Sequence, residues 1–288
     1  MKYIQKDFFT SKDSKLFCST KLHFVLTNRY HGVSKPPYNS LNLAYHVNDK
    51  LESARINRSY IMQKYYKNKT LLYLNQIHSN TIFAIQENKG ILEASQHNFK
   101  GNITTATKHS ILMQDGSQYN EILVGDGDGI ICNKSDFVLM SMVADCNPIL
   151  IYAKPQNVFA VLHAGRQGVC SKILTHALML FIHDYNVKMQ DICIFIGTSI
   201  RKCCYEIDNN LAFQLMQEFG EKYIACENER YKLDMIGLLC DEILSFGIEL
   251  SQVEISPSCS CCDESYFSYR REKITGRFAL FASLCDEV

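Results

Sequence analysis

The sequence predicts a layered α/β sandwich of the α+β kind, with a mixed β-sheet flanked by helices and one domain over residues 1–288. Segments of helical and strand periodicity alternate along the chain, the pattern of helices packed on sheets. Several strand-length runs are apolar throughout instead of alternating, which marks strands covered on both faces. No repeat, Pro- or Gly/Ser-rich linker or long charge block divides the 288 residues, and at 47% hydrophobic they suffice for one large core.

After the loop Val47-Asn48-Asp49, the spacing of Ile56, Tyr60, Ile61 and Lys64 predicts a helix over 53–66. Leu71 to Leu74 is an apolar run closing on Asn75-Gln76-Ile77-His78. Phe137 to Tyr152 is apolar except at Asp145-Cys146-Asn147-Pro148, so it reads as two buried strands around a sharp break, or as a strand entering a short helix. Val158 to His163 is a further buried strand. The turn Gly165-Arg166-Gln167-Gly168 then leads into a helix over 169–185 with Val169, Ile173, Leu174, Ala177, Leu178, Leu180 and Phe181 on its apolar face. Residues 192–196 form a strand ending in Gly197-Thr198-Ser199. Residues 211–219 and 235–246 have helical spacing, and 253–255 and 278–284 have strand character. The aromatic stretch Tyr266 to Arg271 reads as a hairpin whose arginines face a ligand.

Composition narrows the function. Thirty basic residues balance 30 acidic ones, so no long-range field attracts nucleic acid or an anionic membrane. Small molecules are the expected partners. No apolar run approaches the roughly 18 residues that a membrane helix needs. The 13 cysteines are odd in number, and the opening Met1-Lys2-Tyr3-Ile4-Gln5-Lys6-Asp7 is too charged for the core of a signal peptide, so a reduced, cytoplasmic protein is expected.

Metal-binding residue types gather at the ends of three apolar runs: His78, Cys146 and His163. Catalytic zinc takes three protein ligands of this kind and leaves its fourth position to water or substrate. Taken alone, a cysteine in an apolar run is a small core residue. Two histidines at similar strand ends turn the reading toward a metal site.

Over nearly its whole length the chain resembles the multicopper polyphenol oxidase (laccase-domain) family, described also as purine nucleoside phosphorylases. The resemblance runs from Thr27-Asn28-Arg29-Tyr30-His31-Gly32 and Ser40-Leu41-Asn42-Leu43 through Gln76-Ile77-His78, Gly127-Asp128-Gly129 and Ala144-Asp145-Cys146 to His163-Ala164-Gly165. It continues with Cys204-Tyr205-Glu206-Ile207 and closes on Phe267-Ser268-Tyr269-Arg270-Arg271 and Thr275-Gly276-Arg277. The resemblance implies a zinc-type site of His78, Cys146 and His163, cleavage of adenosine, inosine and methylthioadenosine with phosphate, and adenosine deamination. It also implies a substrate or phosphate role for Asn42 and Arg29, the latter otherwise a surface arginine in a polar loop. Where the family usually reads His-Ala-Gly-Trp-Arg-Gly, this chain has His163-Ala164-Gly165-Arg166-Gln167-Gly168, with no Trp and the arginine one position early. Gln76-Ile77-His78-Ser79 ends in serine where the family has glycine.

Zinc lowers the pKa of a bound water from about 15.7 toward roughly 7, so deamination of adenosine has its nucleophile at neutral pH. That reaction also needs a carboxylate to carry a proton, for which Asp145 and Asp128 are the candidates; on local grounds both are turn residues. Phosphorolysis needs cations on phosphate, and the guanidinium fork suits it, which points to Arg29, Arg166, Arg270 and Arg277. Arg270 and Arg271 alternate along the expected hairpin strand, so one of them is solvated or paired. Copper is the alternative metal, since two histidines and a cysteine match a blue-copper set when a weak axial Met is added. The multi-histidine cluster of laccases is not foreshadowed, because no His-X-His occurs among the nine histidines. A cytidine-type zinc deaminase is disfavoured by the lack of His-X-Glu and Pro-Cys-X-X-Cys. A non-enzymatic binding protein with a tyrosine-rich surface is the remaining alternative. Finally, Cys259-Ser260-Cys261-Cys262 contains one CxxC that Cys203-Cys204 would complete as a four-thiolate zinc site, but adjacent cysteines match paired knuckles poorly and plain reduced thiols are the expectation.

Overall fold

A computed structural model of the chain describes residues 7–88, 91–100, 103–110 and 119–285. The layered α/β sandwich is observed, with three sheets where the sequence suggested one. A six-stranded sheet runs in the order Phe9–Thr10, Leu22–Leu26, Phe278–Leu284, Phe137–Val143, Thr70–Asn75, Glu121–Asp126. An eight-stranded sheet runs Val253–Ile255, Ile192–Ile196, Asn147–Ala153, Val158–Ala164, Gly129–Cys132, Ile82–Asn88, Ile91–Lys100, Ile103–Ser110. Both are mixed, since Thr70–Asn75 is parallel to both of its neighbours and Ile192–Ile196 is parallel to Val253–Ile255. A small antiparallel sheet joins Glu206–Ile207, Arg230–Leu233 and Ile224–Glu227.

Side-chain alternation stacks these layers. In the six-stranded sheet, Phe24, Leu26, Leu72, Leu139, Leu280 and Ala282 point at Leu150, Tyr152, Phe159, Val161 and Phe195 of the eight-stranded sheet, forming a core between the two. Their neighbours Val25, Leu71, Val138, Met140 and Phe281 face the other way, onto the helix Leu51–Tyr65. Ile149, Ile151, Ala160, Leu162, Ile194 and Ile196 face the helices Ile173–Tyr185 and Met235–Ser245. Each central strand is therefore covered on both sides, which is why its sequence is an unbroken apolar run.

Most expected elements are present, with three differences. The helix Leu51–Tyr65 buries Ala54, Asn57, Arg58, Ile61 and Met62, while Ile56 is exposed. The polar members belong to that face because Asn57 bonds loop carbonyls at Ser40 and Asn42, and Arg58 bonds Leu43 O and Glu121 between the rings of Tyr45 and Tyr73. The helix expected over 169–185 is two: Arg166–Cys170 and Ile173–Tyr185, separated at Lys172 by a left-handed backbone (φ 64°). The stretch 266–271 is no hairpin. It ends in the short helix Tyr269–Glu272, whose first turn is capped by Ser268 Oγ accepting from the backbone N–H of Arg271.

Candidate functional site

His78, Cys146 and His163 meet at one end of the sandwich, where strands of both sheets finish. His78 follows the strand Thr70–Asn75 of the six-stranded sheet. Cys146 lies in the three-residue crossover, 144–146, that carries the chain from Phe137–Val143 into Asn147–Ala153 of the other sheet. His163 stands near the end of Val158–Ala164, opposite Pro148. One ligand-type atom from each lies within 4.8 Å of the others. Cys146 Sγ is 3.8 Å from His78 Nε2, and the two imidazoles meet edge to face with centroids 4.8 Å apart. The flanking backbone is bent hard: His78 and Asp145 have φ of 62° and 93°, conformations that L-residues adopt rarely and that gather at functional sites.

Asp128 organises this trio. Its Oδ1 accepts from His163 Nδ1 at 2.8 Å and from the His78 backbone N–H at 3.1 Å. Its Oδ2 accepts from the backbone N–H and the hydroxyl of Ser79 at 2.5 and 2.7 Å. Nδ1 of His163 is thereby committed to Asp128, which leaves Nε2 as the nitrogen that a metal would take. Gln76 adds support, its amide accepting from Met142 N and donating to Met142 O like an extra strand residue.

Electrostatics follow from this packing. Burial alone raises the Cys146 thiol, but the His163 and His78 imidazoles outweigh it and bring the thiol down to about 6. Burial alone lowers His163, yet the Cys146 thiolate and Asp128 carry it up to about 9. Burial works against ionisation of Asp128 as well, and His163 and Ser79 override it and hold the carboxyl below its ordinary range.

A thiolate and two imidazoles suit zinc, copper and related borderline metals. Gly165 lets the backbone pass close against the trio. A Cβ there would stand 2.9 Å from both Cys146 Sγ and His78 Cδ2, so contact, with an ordinary φ, demands the glycine.

The trio opens into a cavity of about 820 Å³, within the range of small-molecule sites. Met142, Ile200, Met235 and Tyr269 form its apolar lining, and Arg166, Arg270, Lys273 and Arg277 bring cations to it. Arg166, despite its shifted position, reaches the cavity from the first turn of its helix, and its charge acts on the Tyr205 hydroxyl. Arg270 donates to the carbonyl of Glu206 at 2.8 Å, with its guanidinium 5.2 Å from the centre of the Tyr205 ring. Arg277 spends Nη1 on the carbonyls of Thr275 and Gly276.

Two residues expected at the phosphate are not on the cavity wall. Arg29 is turned into the protein, where it pairs with Glu272 at 2.6 Å and stacks on Phe267. Asn42 is fully buried and accepts from the backbone N–H of Arg277 at 3.0 Å, so it supports a cavity residue without touching the cavity. The carboxylates expected to shuttle protons are engaged too: Asp128 as described, and Asp145, which lines the cavity, by the Ser260 hydroxyl at 2.7 Å and the Arg270 backbone N–H at 2.6 Å. The residue reading missed Ser79, Gln76, His46, Tyr205 and Lys273. Gln76, Ser79 and Tyr205 had a signal, in the Gln-Ile-His stretch, the serine in place of the family glycine and the Cys-Tyr-Glu-Ile stretch; His46 and Lys273 had none.

The fold is thus an α/β sandwich that gathers one cysteine and two histidines, a metal-type residue set, beside a cavity at the seam of its two large sheets. A sequence model of the family described as multi-copper polyphenol oxidoreductase laccase matches residues 23–285, and the chain belongs to that family. It is 27% identical over 256 residues to a purine nucleoside phosphorylase of Corynebacterium glutamicum, covering 88% of this chain and 91% of the relative. A purine nucleoside phosphorylase of Haemophilus influenzae is 25% identical, covering 90% of this chain and 92% of the relative. Among solved structures, Bacillus licheniformis YfiH superposes with a TM-score of 0.78 at 22% identity, covering 96% of this chain and 98% of its own. YlmD of Geobacillus stearothermophilus does so with a TM-score of 0.76 at 23% identity, covering 95% of each chain. These structural likenesses speak for the fold.

Proposed function

We propose that this chain is a zinc-dependent purine nucleoside phosphorylase, cleaving adenosine, inosine or methylthioadenosine with phosphate to the free base and a pentose 1-phosphate. The observation that carries this reading is one cavity that unites the His78–Cys146–His163 centre with the side chains of Arg166, Arg270, Lys273 and Arg277. The names of the relatives supply the substrate class.

In the reaction the C1′–N9 bond breaks and a bond from C1′ to a phosphate oxygen forms, so an anion must be held against the sugar while charge grows on the purine. Guanidinium groups serve the first need, binding phosphate through paired N–H donors. Nε and Nη2 of Arg277 have no protein partner among the described residues and are free for that task. The apolar lining of Met142, Ile200 and Met235 accepts a flat base. Zinc, when bound by His78, Cys146 and His163, supplies a Lewis acid with one position left for a non-protein ligand. Asp128 keeps the His163 ring oriented, and Gly165 keeps the approach clear.

Deamination is the weaker part of the expectation, because the oxygens of Asp128 and Asp145 are already engaged by protein donors. The family's copper-oxidase description finds less support than phosphorolysis. Among the described residues the metal-type groups are this trio and a cluster of four cysteines, neither of which is the multi-histidine assembly of a laccase.

The test is product analysis of adenosine incubated with zinc-loaded protein, with and without phosphate, beside Cys146→Ala. Adenine and ribose 1-phosphate that appear only with phosphate and vanish in the variant support the assignment. Inosine in both buffers moves the assignment to deamination. No turnover of any of the three nucleosides by folded, zinc-bound protein sinks it.

A further inference from the structure

Some way along the chain from the trio, Cys203, Cys204, Cys259 and Cys262 bring their Sγ atoms within 4.8 Å of one another. Cys204 and Cys262 are 3.2 Å apart and Cys203 and Cys262 are 3.7 Å apart. A tetrahedral zinc with Zn–S bonds of about 2.3 Å sets its sulfurs roughly 3.8 Å apart, whereas a disulfide needs about 2.05 Å. The Cys203–Cys262 separation thus already matches an edge of a thiolate tetrahedron, the Cys204–Cys262 separation is shorter than one but far longer than a disulfide, and all four sulfurs lie within 4.8 Å of one another. We propose that Cys203, Cys204, Cys259 and Cys262 form a second, structural metal site that takes zinc in a four-thiolate shell.

Adjacent cysteines are an unusual half of such a site, and the backbone explains how they serve. Residues 200–204 turn tightly, with the N–H of Cys204 bonded to the carbonyl of Arg201 at 2.9 Å, so the Cys203 and Cys204 side chains both reach Cys262. The other half is a turn in which the N–H groups of Cys262 and Asp263 both bond the Cys259 carbonyl, the fold expected of a CxxC knuckle. The two halves are joined before any metal arrives: Ser199 bridges Cys259 in parallel register, and the N–H of Ser260 bonds the carbonyl of Ser199 at 3.0 Å. The backbone N–H of Arg201 also points at Cys259 Sγ, at 3.4 Å, as amides around thiolate ligands do.

Binding of Zn²⁺ by four thiols releases four protons and leaves a centre of net charge −2. Arg201 lies close enough to act on Cys203 and Cys259, and its hydrogen bonds go to the Ser199 hydroxyl and to the carbonyls of Gly197 and Ser256, so its positive charge is available to balance the cluster. The site would clamp one wall of the cavity. Tyr205 and Glu206 follow Cys204 directly, and Arg270 donates to the carbonyls of Cys204 and Glu206.

The experiment separates this site from the trio by using Cys146→Ala, prepared reduced and anaerobic, loaded with zinc and desalted. Zinc is counted by release to a chromophoric chelator on addition of a thiol-modifying mercurial. About one equivalent per chain retained in Cys146→Ala, and lost when Cys203→Ser and Cys262→Ser are added, supports the proposal. Cobalt(II) in Cys146→Ala gives a second reading that does not depend on the triple variant folding. Its sulfur-to-cobalt absorbance should be roughly fourfold that of a single-thiolate centre. Absence of zinc from folded Cys146→Ala, cobalt absorbance of one or two thiolates, or a Cys204–Cys262 disulfide in the mass spectrum of freshly purified protein would each overturn it.

Discussion

Asp128 shows what a single residue decides here. It lies in Gly125-Asp126-Gly127-Asp128-Gly129, where local grammar allows only a turn, yet it receives four hydrogen bonds from the two segments that carry His78 and His163. In metal-free protein, alkylation of Cys146 followed by peptide mass spectrometry should rise with pH through about 6, since the imidazoles hold the thiol down. Asp128→Asn lowers His163, so less imidazolium faces the thiol; the titration should move to higher pH, and a profile unchanged by the variant would refute the coupling. The same substitution should weaken zinc binding by about 10–100-fold in a competition titration, the usual cost of losing a carboxylate behind a ligating histidine. Gly165→Ala tests the geometry of the seat. Its Cβ meets Cys146 Sγ and His78 at 2.9 Å, so the variant should fold with an ordinary Tm and yet fail to retain metal at the trio. The convergence of His78, Cys146 and His163 was legible in the sequence because each follows or closes an apolar run of strand length. Arg29 is drawn into the protein because a fork that binds phosphate binds a carboxylate equally well, and Glu272, 243 residues away, was invisible in the sequence as its partner.

Long elements were legible and short ones were not, for a physical reason. The buried strands 137–143, 147–153, 158–164 and 278–284 declare themselves by continuous apolar content. The four-residue helix Tyr269–Glu272 has too few residues for a 3.6 period to emerge, and it is held by its surroundings: Ser268 caps it, Asp145 accepts from the Arg270 N–H, and Glu272 gathers Arg29, Arg271 and Thr275. Burial raises the Glu272 carboxyl, but its bonds to Thr275, Arg29 and Arg271 outweigh that and depress it. A depressed carboxyl stabilises the fold above its unfolded pKa of about 4.3, and that stability is lost as pH falls through the folded value. Glu272→Gln should therefore cost about 2 kcal/mol at neutral pH, the worth of hydrogen bonds to a charged group. In Tm measurements across pH the gap between variant and wild type should close toward acid; a gap constant with pH would show that the charge contributes nothing.

At the scale of the whole molecule, alternation of helix and strand announced a layered sandwich, whereas its partition into two facing sheets rests on pairings between distant segments that no local pattern encodes. Phe278–Leu284, for example, pairs with both Leu22–Leu26 and Phe137–Val143. That partition gives the trio a mechanical meaning. His78 belongs to the end of one sheet, His163 to the other, and Cys146 to the link between them, so an ion held by all three ties the two sheets together at their open end. A ligand that binds only the native state stabilises it by mass action, about 4 kcal/mol at a thousandfold excess over Kd. For a chain of this size that amounts to roughly 10 °C in Tm. Zinc added to metal-free wild-type protein should raise Tm by that order, and the part of the rise lost in Cys146→Ala belongs to the seam, because the four-cysteine cluster is intact in the variant. Hydrogen exchange locates the effect. Amides around 76–80 and 144–147 should slow on zinc binding, while the central strands 149–153 and 193–196, buried between layers at the full stability of the fold, should change little. Slowing confined to the loop of His78, with none across the Cys146 crossover, would mean that the ion sits on one sheet alone and does not join the two.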